Sequence, residues 1–440
     1  VSILDALPSR ENQGSKAEVG LPLDFSRLTS LVNAEEVAAA SRQWERVPGS
    51  ATRTSTAEES IARVTPYLRD YGITRVANVT HLDRVGIPVH TAIKPMGTTL
   101  SNGSGKGITP AASKISAMME AIEQSHWEDD HFEKFESTQV DLASNNVAFA
   151  DGDLVPQFKL SLWNHRLPVY WTPMTDLISG EQVVAPTELL EANLKSRLSI
   201  STFVTSSNGL ASGNNVFEAI YSGLTELVER DAIAMYTAHG NDQTYVRAID
   251  LDALSSAYGD PFVSLREQIE RADLRLFVFD CTHELNVPTY KAFVHDLAVF
   301  RAGAFGGYGT SLDPNVALCR AVTEAIQSRA LIIAGSRDDQ FGSGRDASVL
   351  HANHYEAPDP GDKPMVRYED MSTSSIIGDI ELVLERLRGQ GIERVLVKRH
   401  TAPSDPVQVV RVIVPGLEGY RFGQYTPGPR ARAAEVAAAT

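Results

Sequence analysis

Polar and apolar positions alternate between helical and extended spacing along most of the chain. Residues 57–71 carry a helical pattern that stops before Gly72, and Pro66 is expected to kink or split it. Residues 76–80 and 85–93 cluster or alternate as strands joined by a turn. Residues 274–280, 289–294, 394–398 and 407–414 read as buried strands. The mixture predicts an α+β fold. Residues 1–55 differ, with a polar stretch at 10–16, a short helix expected over 33–43 and a loop at Pro48-Gly49-Ser50. They read as an N-terminal extension, flexible, packing or partner-binding. The main body is expected over 56–430. A tail of small residues, 431–440, follows Pro427-Gly428-Pro429 and is expected to be loosely held.

A repeat underlies the pattern. Thr109 precedes Pro110, Asp313 precedes Pro314, and Asn215 stands three residues before Glu218. Each is a helix-start signal, either a capping side chain with proline at the first helical position or a capping box. Eleven residues after each cap stands a glutamate: Glu120, Glu226, Glu324. Fourteen after stand Glu123, Glu229 and Gln327, and seven after stand Ser116, Ser222 and Arg320. The first two copies also share Ser-Asn-Gly, at Ser101 to Gly103 and Ser207 to Gly209, beginning fifteen residues before the serine. Glycine-rich stretches precede all three helices, with Lys106 inside the first.

Positions i, i+4 and i+7 share one helical face, so Ser116, Glu120 and Glu123 form a stripe, and Ser222, Glu226 and Glu229 another. The neighbouring stripes are apolar: Ile115, Met119 and Ile122, then Phe217, Tyr221, Leu224 and Val228. Solvated like charges at this spacing cost a helix roughly 0.2–0.5 kcal/mol, and buried ones more. One Glu-x-x-Glu is commonly a solvated face; three in register beside apolar stripes need a compensating cation. Oxygen-only ligands favour a hard ion, Mg²⁺ first, which uses one or two carboxylates together with substrate phosphates. Glycines let backbone N–H groups approach phosphate, although Gly107 after Lys106 rules out a Walker A loop. Arg230, Arg320 and Arg329 could contact phosphate or form structural ion pairs. A di-iron reading through Glu123-x-x-His126 lacks its symmetric partner, since Ala232 and Ala330 replace the histidine. No nucleophile triad is evident, so no catalytic side chain is assigned.

Composition narrows the classes. The 440 residues carry a net charge of -16, which disfavours nucleic acid as a partner, and no apolar run suggests a membrane span. Two distant cysteines, Cys281 and Cys319, form neither a disulfide framework nor a zinc spacing, so a cytoplasmic location is expected, without a signal peptide.

The motifs Gly105-Lys106-Gly107 through Ser116-x-x-x-Glu120-x-x-Glu123, Ser207-Asn208-Gly209-Leu210-Ala211-x-Gly213 through Glu226-x-x-Glu229-Arg230, and Asp313-Pro314 through Glu324-x-x-Gln327-x-Arg329 resemble the YcaO family over about residues 56–430. Residues 72–76 followed by Leu82-Asp83-Arg84-Val85-Gly86-Ile87-Pro88 are similar to its stand-alone branch, whose members often work with a TfuA-type partner. The resemblance implies a YcaO-like fold of repeated helix-strand units around an ATP site. It also implies ATP- and Mg²⁺-dependent phosphorylation of a peptide backbone amide oxygen. The nucleophile then sets the product: sulfide a thioamide, a side chain an azoline, an amine an amidine. By position, Glu120, Glu123, Glu226, Glu229 and Glu324 would bind metal, with Gln327 beside them, and Lys106, Ser116, Asn208, Ser222 and Arg230 would contact nucleotide. Azoline-forming relatives often end in Pro-x-Pro-x-Pro, whereas only Pro427-Gly428-Pro429 occurs here. That departure leans toward a thioamide in a ribosomally made peptide. A non-catalytic nucleotide-binding partner protein is the reading from another class. The expected partners are a peptide substrate and a TfuA-type protein, with a homodimer left open.

Overall fold

The computed structural model describes residues 23–41, 53–128, 132–192, 202–240, 248–296, 304–336, 360–363, 365–419 and 425–438. The polar stretch at 10–16 and the Pro48-Gly49-Ser50 loop of the extension lie outside these. The chain divides into two compact units: residues 44–125 with 240–372, and residues 1–43 with 126–239 and 373–440.

The first unit repeats one plan. Strands Arg75–Asn78, Val89–Ile93 and Asn102–Lys106 form an antiparallel meander, followed by the first acidic helix, Pro110–Trp127, all but its last two residues in this unit. Strands Leu274–Asp280, Thr289–Asp296 and Ala304–Thr310 form a second antiparallel meander, followed by the third acidic helix, Pro314–Ala334. A core of Val278, Tyr290, Ala292, Val294, Leu318, Val322 and Ile326 fills the space between this sheet and its helix. Upstream, the helix Ala57–Val64 passes into a 3-10 turn, Thr65–Tyr67, at Pro66, as the missing amide hydrogen of proline requires.

The second unit is organised on a six-stranded sheet. Its order is Phe135–Ser137, Val169–Asp176, Leu396–Arg399, Gln408–Ile413, Leu210–Gly213, with Gln182–Pro186 also paired to Val169–Asp176. The second acidic helix, Val216–Ala238, follows the glycine-rich strand Leu210–Gly213. Residues 23–41 of the N-terminal extension pack within this unit. Its helix, Ala34–Ala40, is capped by Asn33; Leu28 and Leu31 are buried; and Arg399 pairs with Glu36 at 2.7 Å.

Strand and acidic helix approach each other closely in every copy. A Cβ on Gly105 would lie 2.0 Å from the Ser113 carbonyl oxygen and 2.1 Å from the Ala117 nitrogen. One on Gly309 would meet the Ala317 oxygen at 2.0 Å and the Ala321 nitrogen at 2.5 Å. These glycines occupy the same register before their caps. The middle copy exchanges the sizes. Ala211 stands on the strand, Gly223 on the helix, and a Cβ on Gly223 would come within 3.4 Å of the Ala211 Cβ. One member of each strand–helix pair is thus always glycine and the other alanine.

The loosely held tail expected at 431–440 is not what forms. Pro429–Ala438 is a helix, and its Ala431 and Ala434 are buried with Met235 and Ala238 of the second acidic helix. Alanine is too small to mark a core by hydrophobicity, yet small residues let two helices approach closely.

Candidate active site

All eleven predicted site residues fall on the glycine-rich strands, their flanks, or the three acidic helices. Each helix starts where the capping signals placed it. Thr109 Oγ1 accepts from Ala112 N at 3.1 Å, Asn215 Oδ1 from Glu218 N at 3.0 Å, and Asp313 Oδ1 from Asn315 N at 2.8 Å. The Glu218 carboxylate itself is buried and takes both Asn214 N and Nδ2, at 2.8 and 2.9 Å.

In the first unit, Glu120 Oε2 accepts from Ser104 N at 3.1 Å, which ties the first acid to the preceding glycine-rich strand. Ser116 and Glu123 share its half-buried face. The structure brings Lys106 and Glu324 into direct contact, Nζ to Oε2, with side chains 18% and 20% exposed. Gln327 lies half-buried, three residues further along the helix. Of the stripe expected at Ile115, Met119 and Ile122, Ile122 is fully buried and the other two are half-buried; the fully buried face also holds Ala117, Met118 and Ala121. The close glycine strand selects small residues over large ones on the face that it touches.

In the second unit, Glu226 Oε2 accepts from Gly209 N at 3.1 Å, repeating the tie seen at Glu120. Arg230 reaches both acids: Nη2 lies 3.3 Å from Glu226 Oε1 and Nη1 3.3 Å from Glu229 Oε1. The like charges at i and i+3 thus share one cation within the helix itself, which leaves one negative charge uncompensated by that contact. Glu229 is only 3% exposed, where an uncompensated carboxylate would be costly. Asn208 uses its carbonyl oxygen to accept from Arg411 Nη1 at 2.7 Å. Ser222 is half-buried on the same stripe as Glu226.

The arginines separate by role. Arg329 is buried and fully engaged. Its Nε meets both Asp83 oxygens at 3.1 and 3.0 Å, and its Nη2 meets Asp296 Oδ2 at 2.9 Å. It is a structural ion pair. Arg84 completes the network at 3.0 Å from Asp296 Oδ1, and the Asp296 carboxylate holds its guanidinium pKa above the ordinary value.

The donor set suits a hard cation. The predicted ligand positions on the acidic helices present carboxylate and amide oxygens, oriented by backbone N–H groups or by cations. Among the described residues, no helix is long and apolar enough to cross a membrane.

A family model described as YcaO cyclodehydratase, ATP- and Mg²⁺-binding, matches residues 104–418. The chain belongs to the YcaO family. An uncharacterised protein in the tfuA 3′ region of Rhizobium leguminosarum bv. trifolii is 35% identical over 385 residues, covering 85% of this chain and 90% of that protein. A Methanothermobacter thermautotrophicus protein is 34% identical, covering 82% and 94%. Among solved structures, YcaO from Methanopyrus kandleri bound with AMPPCP and Mg²⁺ is similar at a TM-score of 0.65 and 20% identity, covering 86% of this chain and 94% of that one. A heterocyclase in complex with substrate and cofactor reaches 0.67 at 22% identity, covering 89% of this chain and 57% of the heterocyclase. The mixed α and β architecture is thus that of YcaO proteins, and the chain is a member of a family of ATP-dependent, Mg²⁺-binding enzymes.

Sequence reasoning missed the groups behind the acidic helices. Asp231 is fully buried and accepts from Glu418 N at 2.7 Å and Arg430 Nη1 at 2.5 Å. Glu418 in turn accepts from Gly428 N at 2.7 Å, Ala431 N at 2.9 Å and the Tyr425 hydroxyl at 2.8 Å. The only available signal was an acid directly after Arg230, at a position that the helical pattern buries.

Proposed function

We propose that this YcaO enzyme uses ATP to phosphorylate the oxygen of a peptide backbone amide, and that sulfide then replaces that oxygen to give a thioamide. The γ-phosphoryl group moves to the amide oxygen, ADP departs, sulfide adds to the carbon, and phosphate leaves with the oxygen. Turning the amide oxygen into phosphate overcomes the poor electrophilicity of an amide. Glu120, Glu123, Glu226, Glu229 and Glu324 are the proposed Mg²⁺ ligands. Lys106, Ser116, Asn208, Ser222, Arg230 and Gln327 are the proposed nucleotide contacts. Bound Mg²⁺ supplies charge neutralisation for the transferring phosphoryl group.

The observation that carries the thioamide reading is the 35% identity to a protein in a tfuA 3′ region, which also supports the TfuA-associated branch and a TfuA-type partner. Azoline formation is the second reading, favoured by the cyclodehydratase description of the family and the heterocyclase likeness. Incubation of the enzyme, ATP, Mg²⁺, sulfide and candidate peptides decides between them by mass. A thioamide adds about 16 Da and an azoline removes about 18 Da, both local covalent changes. ATP turnover with neither change sinks the thioamide and azoline readings together.

A further inference from the structure

We infer that the position sixteen residues after each helix cap fixes the acidic helices in place, making Ser125, Asp231 and Arg329 positioning residues for the ligand side chains two and five residues before them. The inference rests on the glutamates among these being the Mg²⁺ ligands.

The three positions coincide in register and in what they do. Each cap, Thr109, Asn215 or Asp313, is followed sixteen residues later by a side chain that bonds to a distant segment. Ser125 Oγ lies 2.9 Å from the Tyr71 carbonyl oxygen, in the turn before the first meander, and 3.0 Å from the Ala121 carbonyl oxygen of its own helix. Asp231 accepts from Arg430 and from Glu418 N, both near the end of the chain. Arg329 meets Asp83 and Asp296. At 3.6 residues per turn, this position lies about 140° around the helix from the first acid and about 160° from the second. It belongs to the opposite face.

The chemistry differs in every copy: a hydroxyl, a carboxylate and a guanidinium. What is common is a directional bond at the same height on the helix. Two of these groups are charged and nine-tenths or more buried. Apolar side chains in place of both partners would stabilise the fold at least as well, because a buried ion pair seldom exceeds its hydrophobic replacement. A directional pair does something that an apolar contact does not. It sets the rotation of the helix about its axis and its position along it. Mg²⁺ demands near-ideal octahedral geometry, so carboxylates displaced by a fraction of an ångström lose affinity steeply.

The test titrates the full chain with AMPPCP at a series of Mg²⁺ concentrations, alongside thermal melting. For two helices the variants act on the distant partner and leave the helix itself unaltered: Arg430→Gln for the second and Asp83→Asn for the third. Ser125→Ala probes the first. Supporting partners of metal ligands typically change metal affinity 10- to 100-fold, so the Mg²⁺ needed for half-maximal binding is expected to rise about tenfold in Arg430→Gln and Asp83→Asn. The conservative Arg430→Lys is expected to restore the wild-type requirement, which a purely structural role would not predict. If Asp83→Asn fails to fold, Arg430→Gln and Ser125→Ala carry the comparison. Folded variants that bind AMPPCP at the wild-type Mg²⁺ requirement overturn the inference. Glu226→Ala is the control: if it binds AMPPCP normally, the ligand assignment falls instead.

Discussion

Arg329 and Asp83 stand 246 residues apart in sequence, yet the Arg329 Nε lies 3.1 and 3.0 Å from the two oxygens of the Asp83 carboxylate. Both side chains are at least nine-tenths buried, and Asp296 shares the same guanidinium. Removing the arginine leaves a buried carboxylate without its cation. Arg329→Met is therefore expected to destabilise the protein by about 3–5 kcal/mol, the usual cost of breaking a buried pair from one side. Urea unfolding measures it, and a loss below 1 kcal/mol would show that the network is dispensable.

Lys106 and Glu324 make the opposite case. Their side chains are about one-fifth exposed, so the pair is less desolvated than Arg329 with Asp83 and its loss costs less. If Lys106 contacts nucleotide, Lys106→Ala weakens AMPPCP binding by about tenfold, or ~1.4 kcal/mol, while melting hardly moves. Unchanged affinity with a clear drop in melting temperature would instead make the lysine a structural partner of Glu324.

The strand–helix approach sets a third expectation. Gly105→Ala puts a methyl group 2.0 Å from the Ser113 carbonyl oxygen, and backbone cannot rotate away as a side chain can. Overpacking of this kind costs about 1–3 kcal/mol, at the upper end here. Ala211→Gly, on the equivalent strand of the middle copy, should cost only about 0.5–1 kcal/mol from lost backbone restriction. Equal effects in denaturant titration would contradict this steric account.

A pH dependence follows from His90. Its ring is buried, its Nδ1 sits 2.7 Å from Ser113 Oγ, and burial, then the Lys114 charge, hold its pKa below the ordinary imidazole value. The folded state favours the neutral ring. Its contribution is complete above the unfolded value of about 6.5 and is lost as pH falls from there toward the lower folded value. Melting temperature should decline through that window in the wild type and decline less in His90→Gln. Identical profiles would remove His90 as the cause.

The local part of this architecture was legible in the sequence because local rules govern it. Thr109, Asn215 and Asp313 cap helices through bonds within three residues, and Pro66 breaks a helix by its own chemistry. The register of Glu120, Glu226 and Glu324 followed from those caps. What could not be read depended on partners far along the chain. Nothing near Asp231 announces Arg430, and nothing near Arg329 announces Asp83. Ile115 and Met119 outranked Ala117 and Ala121 as core residues because hydrophobicity measures size, whereas a glycine strand excludes it. The terminal alanines were misread for the same reason.

The exchange between Gly105 with Ala117, Gly309 with Ala321, and Ala211 with Gly223 makes steric room a property of the pair. The parts are therefore not interchangeable between copies. Grafting a glycine strand over the Gly223 helix would open a void, and setting the Ala211 strand over the Ala117 helix would force two methyl groups into space for one. A single substitution on either side is harmful unless its counterpart changes with it, so variation among relatives should appear here as coupled replacements, small for large across the contact.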